Sequence, residues 1–162
     1  MTHTTTVTLP SDREITVTRT VKAPRDLVWK AYTDPVLLRQ WLLGPPGWTM
    51  PVCELDVRVG GAYRYVWRSE DGTAEFGMHG LYKEVVEPGR MVISQLFDGP
   101  EMGGETTAST SLIAEGDLTT IVTTILYDTK EGRDAAAATG MADGMEAGYQ
   151  RLESLAPAFA RS

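Results

Sequence analysis

The sequence predicts an α+β fold, a curved antiparallel sheet of about seven strands wrapped around a long C-terminal helix, with two short helices after the first strand. Three observations predict it. Alternating strand patterns follow one another from Trp48 to Tyr127, separated by turn pairs such as Gly60-Gly61 and Asp71-Gly72, and consecutive hairpins build an antiparallel sheet. At 100° per residue, Met141, Met145, Gly148, Leu152, Leu155 and Phe159 fall on one stripe, opposite Asp143, Glu146, Gln150, Glu153 and Ser154, as in an amphipathic helix laid on an apolar surface. Between the first strand and the hairpins, Pro24 and Asp34-Pro35 mark two helix starts.

The elements follow in order. Met1 to Asp12 is Thr-rich and polar and reads as a loose tail (residues 1–12), ahead of a single domain over 13–162. Arg13 to Val21 alternates Ile15, Val17 and Val21 against Glu14, Thr16, Thr18 and Thr20, a half-buried strand. Arg19 falls on its apolar face, which points to an interior ion pair or an edge guard. Leu27, Val28, Ala31 and Tyr32 form the apolar side of the first helix; Leu37, Leu38, Trp41 and Leu42 form that of the second. The Gly44-Pro-Pro-Gly47 run is a loop.

From Val52 to Val59, the residues Cys53, Leu55, Val57 and Val59 share the inward side. Tyr63, Tyr65 and Trp67 do so in the next strand, with Arg64 and Arg68 outside. Ala74 to Val86 is a long strand, and Met91 to Phe97 follows the Glu87-Pro-Gly89 turn. Asp98 to Glu105 is a loop, and a Thr-rich hairpin over Thr106 to Ala114 and Leu118 to Tyr127 completes the sheet. Asp128 and Glu131 resemble a capping box. Thr139-Gly140 interrupts the terminal helical region, ending a short helix before the long one.

Composition excludes several classes. The 162 residues suit one domain with a sizeable core. A net charge of −7 and the lack of a basic run argue against a general nucleic-acid binder. The lone Cys53 cannot form an internal disulfide, and no apolar run is long enough to span a bilayer. A cytoplasmic address without membrane insertion is the expectation. No HExxH, CxxC or His/Cys cluster is present, so no metal or cofactor is expected.

Several motifs occur together in order: Ala23-Pro-Arg-Asp-Leu-Val-Trp-Lys-Ala-Tyr-Thr-Asp-Pro35, Leu38-Arg-Gln-Trp41, and Asp56-Val-Arg-Val-Gly-Gly61 with Tyr63. Gly80-Leu-Tyr-Lys-Glu84, Pro88-Gly-Arg90 and Gly140 to Leu152 continue the series. From about Glu14 to about Leu155 the chain resembles small SRPBCC (START-like) proteins related to heat-shock-protein ATPase activators. The resemblance implies the helix-grip fold, in which a cavity lies between the curved sheet and the long helix. Proteins of that fold include co-chaperones, polyketide cyclases and lipid carriers, so the fold by itself does not choose an activity.

The leading reading is a protein that binds a small hydrophobic or aromatic ligand in that cavity, without catalysis of its own. Its lining candidates are Trp41, Trp48, Tyr63, Tyr65, Trp67, Met78, Phe97, Met141, Met145 and Tyr149, with Arg19 and Glu84 as interior polar groups. A second reading is a cyclase- or hydrolase-type enzyme using a pocket acid or His79, although strand parity with Leu81 and Lys83 turns His79 outward. A third is an interaction module for a chaperone ATPase. A homodimer is compatible with each.

Overall fold

A computed structural model describes residues 4–98 and 104–161. In chain order it contains β1 (Thr6–Ser11), β2 (Glu14–Val21), α1 (Arg25–Thr33), α2 (Pro35–Trp41), β3 (Trp48–Leu55), β4 (Ala62–Ser69), β5 (Glu75–Val86), β6 (Arg90–Phe97), β7 (Thr106–Glu115), β8 (Leu118–Leu126), α3 (Lys130–Ala137) and α4 (Met141–Phe159). The strands form one antiparallel sheet in the order β1-β2-β8-β7-β6-β5-β4-β3. α4 packs over its inner face, mainly on β2, α1 and α2. The predicted architecture is therefore present, with eight strands rather than seven.

The extra strand is β1, part of the stretch read as a loose tail. All its residues are exposed, so burial leaves no pattern in its sequence; it exists because β2 offers an edge to pair with. The loop read over Asp98 to Glu105 lies largely outside the described residues.

Local chemistry places the helix ends. The Asp34 side chain accepts the Val36 N–H, and Pro35 occupies the first turn of α2. Because proline has no N–H, the Ala31 carbonyl at the end of α1 lacks its regular partner four residues on. The Trp41 indole N–H fills that place at 3.0 Å, which locks α2 onto α1. α3 is capped by Thr129, not Asp128: the threonine hydroxyl accepts the Gly132 N–H at 2.9 Å. Gly140 (φ +76°) separates α3 from α4, in the left-handed conformation that glycine tolerates best.

Two strand readings need correction. β3 stops at Leu55, and Val59 is 67% exposed; the segment after β3 swings across so that Gly60 and Gly61 bond the Tyr82 backbone of β5. A Cβ on Gly61 would collide with the Asp56 carbonyl, which fixes glycine in this crossing. The β5–β6 register also shifts between Tyr82 and Glu84. One extra residue inverts strand parity, so Glu84 does not share the inner face with Tyr82. Its side chain is about half exposed and bonds Arg90 at 3.1 Å.

The buried line of α4 runs through Gly148, Tyr149, Leu152, Ala156 and Phe159, rotated from the expected stripe toward Tyr149. Met141 and Met145, in line with Phe159 and Leu152 but nearer the N-terminal end, are half-buried, and Leu155 is half-buried at one margin. At the other margin Glu146 and Glu153, expected opposite the core, reach Arg19. Gly144 and Gly148 do not thin the helix toward a cavity. A Cβ on Gly144 would lie 3.4 Å from Pro45, and one on Gly148 3.2 Å from the Trp41 carbonyl, so both glycines admit α2 and the loop after it.

Candidate functional site

Alternation along β4 and β5 carries the aromatic residues to one side. Tyr63, Tyr65 and Trp67 are 2–8% exposed on the inner face, with Met78 and Tyr82 buried beside them on β5. Ring contacts run continuously across the two strands. Tyr82 lies 5.8 Å from Tyr63, Tyr63 4.9 Å from Tyr65, Tyr65 5.7 Å from Trp67, and Trp67 stacks on Phe76 at 5.0 Å. Phe76 then meets Trp48 at 5.3 Å and Phe97 at 6.2 Å. The run begins at sealed tyrosines and ends at Phe76, which is 36% exposed, between half-buried Trp48 and Phe97. Leu55, Ile93, Met141 and Met145 are likewise only half-buried although they pack on the core.

The backbone of α4 packs chiefly on β2 and the first two helices, and over β4 the Trp67 indole N–H donates to the Leu42 carbonyl, just after α2, at 2.8 Å. Trp41 belongs to the helical side of this arrangement. It is 1% exposed, meets Tyr32 edge-on at 4.9 Å and stacks with Tyr149 at 6.4 Å. Its role is to join three helices. The ten predicted lining residues thus fall in two groups within one hydrophobic cluster: Trp48, Tyr63, Tyr65, Trp67, Met78 and Phe97 on the sheet, and Trp41, Met141, Met145 and Tyr149 on the helices.

Buried hydroxyls are matched to partners. The Tyr63 hydroxyl donates to the Ser94 carbonyl at 2.5 Å, a carbonyl that lies where a Cβ on Gly80 would sit. Tyr65 and Tyr82 interact through their hydroxyls, as do Tyr32 and Tyr149. Tyr149 continues to Thr123, which shares a 3.1 Å bond with Thr110. Burial pushes Tyr82 and Tyr149 up to about 12 and raises Tyr32, Tyr63 and Tyr65 further. These phenols are neutral near pH 7 and serve as hydrogen-bonding groups, not as bases.

Arg19 is the interior polar group the sequence identified, 1% exposed. Its guanidinium makes two bonds to Glu146 (3.0 and 2.9 Å), two to Glu153 (3.1 and 3.2 Å) and one to the Thr20 carbonyl. All five N–H donors are used. His79 lies on the outer face, where Nδ1 sits 3.0 Å from Asp98, itself bonded to Arg64. Both groups named for acid–base work, His79 and Glu84, therefore lie away from the aromatic face. Among the described residues no cluster of His, Cys, Asp and Glu is gathered for a metal, and no helix is long and apolar enough to cross a membrane. A separate open groove of about 490 Å³ runs between α4 and Pro46, lined by Ala147, Gln150, Arg151, Ser154 and Leu155.

Sequence reasoning missed Tyr32, Phe76, Tyr82, Thr110 and Thr123. Phe76 and Tyr82 share the parity of Met78 and were within its reach. The two threonines look like ordinary strand residues until the sheet is assembled.

The family model for Activator of Hsp90 ATPase homolog 1-like proteins matches residues 22–156. A Rhodobacter sphaeroides protein of known crystal structure is 32% identical, with 96% of this chain and 99% of that one covered and a TM-score of 0.88. A Nitrosomonas europaea protein is 22% identical over 95% and 100% of the two chains, with a TM-score of 0.82. An AHSA1-like protein from Aeromonas hydrophila is 21% identical over 87% and 92%, with a TM-score of 0.72. The latter two show the fold alone. No curated protein matches the sequence.

Proposed function

The chain belongs to the Activator of Hsp90 ATPase homolog 1-like family, and from the inner face this fold builds here we propose that it binds a small hydrophobic or aromatic molecule between the sheet and α4. One observation carries the reading. An unbroken line of ring contacts leads from sealed Tyr63 to half-open Trp48, Phe76 and Phe97, and aromatic faces with few polar groups favour flat apolar ligands. The tyrosines supply neutral hydroxyls and no general base, which supports holding a molecule over transforming it.

Titration with N-phenyl-1-naphthylamine, a neutral apolar fluorophore, tests this. Saturable binding to the native protein is expected. Met145→Trp, at a half-buried position of α4, is expected to weaken it at least about fivefold with an unchanged or raised Tm, because the larger ring occupies ligand space. No uptake by the parent protein, together with a clear fall in Tm for Met145→Trp, is the signature of an overpacked solid core and would end the proposal.

A further inference from the structure

We propose that Gln95 is the polar anchor of the proposed ligand site between the sheet and α4, its amide N–H groups donating to a neutral oxygen acceptor, a carbonyl or ether, on the bound hydrophobic molecule. The inference rests on the binding reading above and narrows the ligand class. Gln95 pairs with Thr106 across β6 and β7. The pairs two and four residues on, Ile93 with Ala108 and Met91 with Thr110, include the buried inner residues Met91, Ala108 and Thr110, so strand parity puts Gln95 on the inner face. It stands there between Ile93 and Phe97.

The Thr106 hydroxyl donates to Gln95 Oε1 at 3.1 Å. That bond occupies one lone pair of the oxygen and favours the orientation that leaves the NH2 group free to donate. Nε2 has no partner among the described residues, yet it is not a sealed orphan. The residue is half-buried, and among the described residues Arg25 Nε is the only side-chain nitrogen or oxygen both sealed and unpartnered. An accessible donor on an otherwise apolar face is a directional contact awaiting an acceptor.

Other polar groups of the inner face are already committed. Tyr63 bonds Ser94 and Tyr127 contacts Met141 Sδ at 3.9 Å, and the Arg19 guanidinium, three strands away, is fully used by Glu146, Glu153 and Thr20. Glu105, directly before Thr106, brings a carboxylate to this end of the sheet. An anionic ligand would meet that charge, whereas a ketone or ether needs only the amide.

The test is displacement of N-phenyl-1-naphthylamine by 2-acetonaphthone and by 2-ethylnaphthalene, which share a ring body and differ in the carbonyl. The parent protein is expected to prefer the ketone about three- to tenfold, the range one neutral hydrogen bond supplies. Gln95→Leu and Gln95→Met are expected to abolish that preference while still binding 2-ethylnaphthalene, which also reports that they are folded. A ketone preference retained in both variants, or absent from the parent, overturns the anchor and leaves the cavity standing. Failure of both naphthalenes to displace the fluorophore from a parent protein that binds it also overturns the anchor. Absence of fluorophore binding by the parent overturns cavity and anchor together.

Discussion

Arg19 of β2 and Glu146 of α4, 127 positions apart in sequence, form a two-pronged ion pair at 3.0 and 2.9 Å. Glu146 also accepts from the Thr5 backbone and hydroxyl and from Gln150, so one carboxylate ties the sheet edge, the N-terminal segment and the long helix together. Arg19, hydrogen bonded to it, holds the Glu146 carboxyl down at about 2. Glu146→Gln is expected to cost about 1–3 kcal/mol at pH 7, below the loss for a sole partner because Glu153 remains on Arg19. The folded carboxyl sits below its ordinary value of 4.5. Its contribution is therefore fully present above that value and is lost as pH falls toward about 2. Urea unfolding should show a shallower acid limb for Glu146→Gln than for the parent between those values, and equal slopes would contradict the pairing.

The two glycines of α4 should respond differently to substitution. Gly144→Ala meets only ordinary contact with Pro45 and should stabilise by about 0.5–1 kcal/mol through helix propensity. Gly148→Leu must push into the Trp41 carbonyl, 3.2 Å from a Cβ, and should destabilise by about 1–3 kcal/mol. Thermal melts of the pair settle the matter; equal behaviour would mean that α2 does not approach α4 closely at Gly148.

Tyr63→Phe deletes the donor to the Ser94 carbonyl and changes little else in shape. Ser94 is 4% exposed, so the loss should be about 1–2 kcal/mol, the cost of an unpaired buried acceptor. A variant as stable as the parent in urea would show that the carbonyl finds another partner.

Cys53 faces Tyr65 across β3 and β4, and burial pushes its thiol from 9.0 up to about 11. At pH 8 its reaction with a disulfide reagent should be about a hundredfold slower in the folded protein than in urea, following the thiolate fraction. The folded rate should still be climbing beyond pH 9. A rate equal to that in urea would place the thiol on the outer face.

Much of the fold was legible because it is written in local chemistry. The Tyr63-Tyr65-Trp67 alternation, the turn signal Gly60-Gly61 between β3 and β4, the Asp34-Pro35 start of α2 and the break at Gly140 each depend on residues within a few positions of one another. Period, capping and turn geometry need nothing from afar. What tertiary structure decided depends on partners remote in sequence. β1 is a strand only beside β2, and α4 turns Glu146 and Glu153 inward only because Arg19 waits on the sheet. Gln95 meets Thr106 only when β6 pairs with β7 in one register. The shift between Tyr82 and Glu84 sends an acid outward that strict alternation would have placed inside. A single inserted residue reverses every side chain beyond it, and no local pattern marks where the neighbouring strand will demand one.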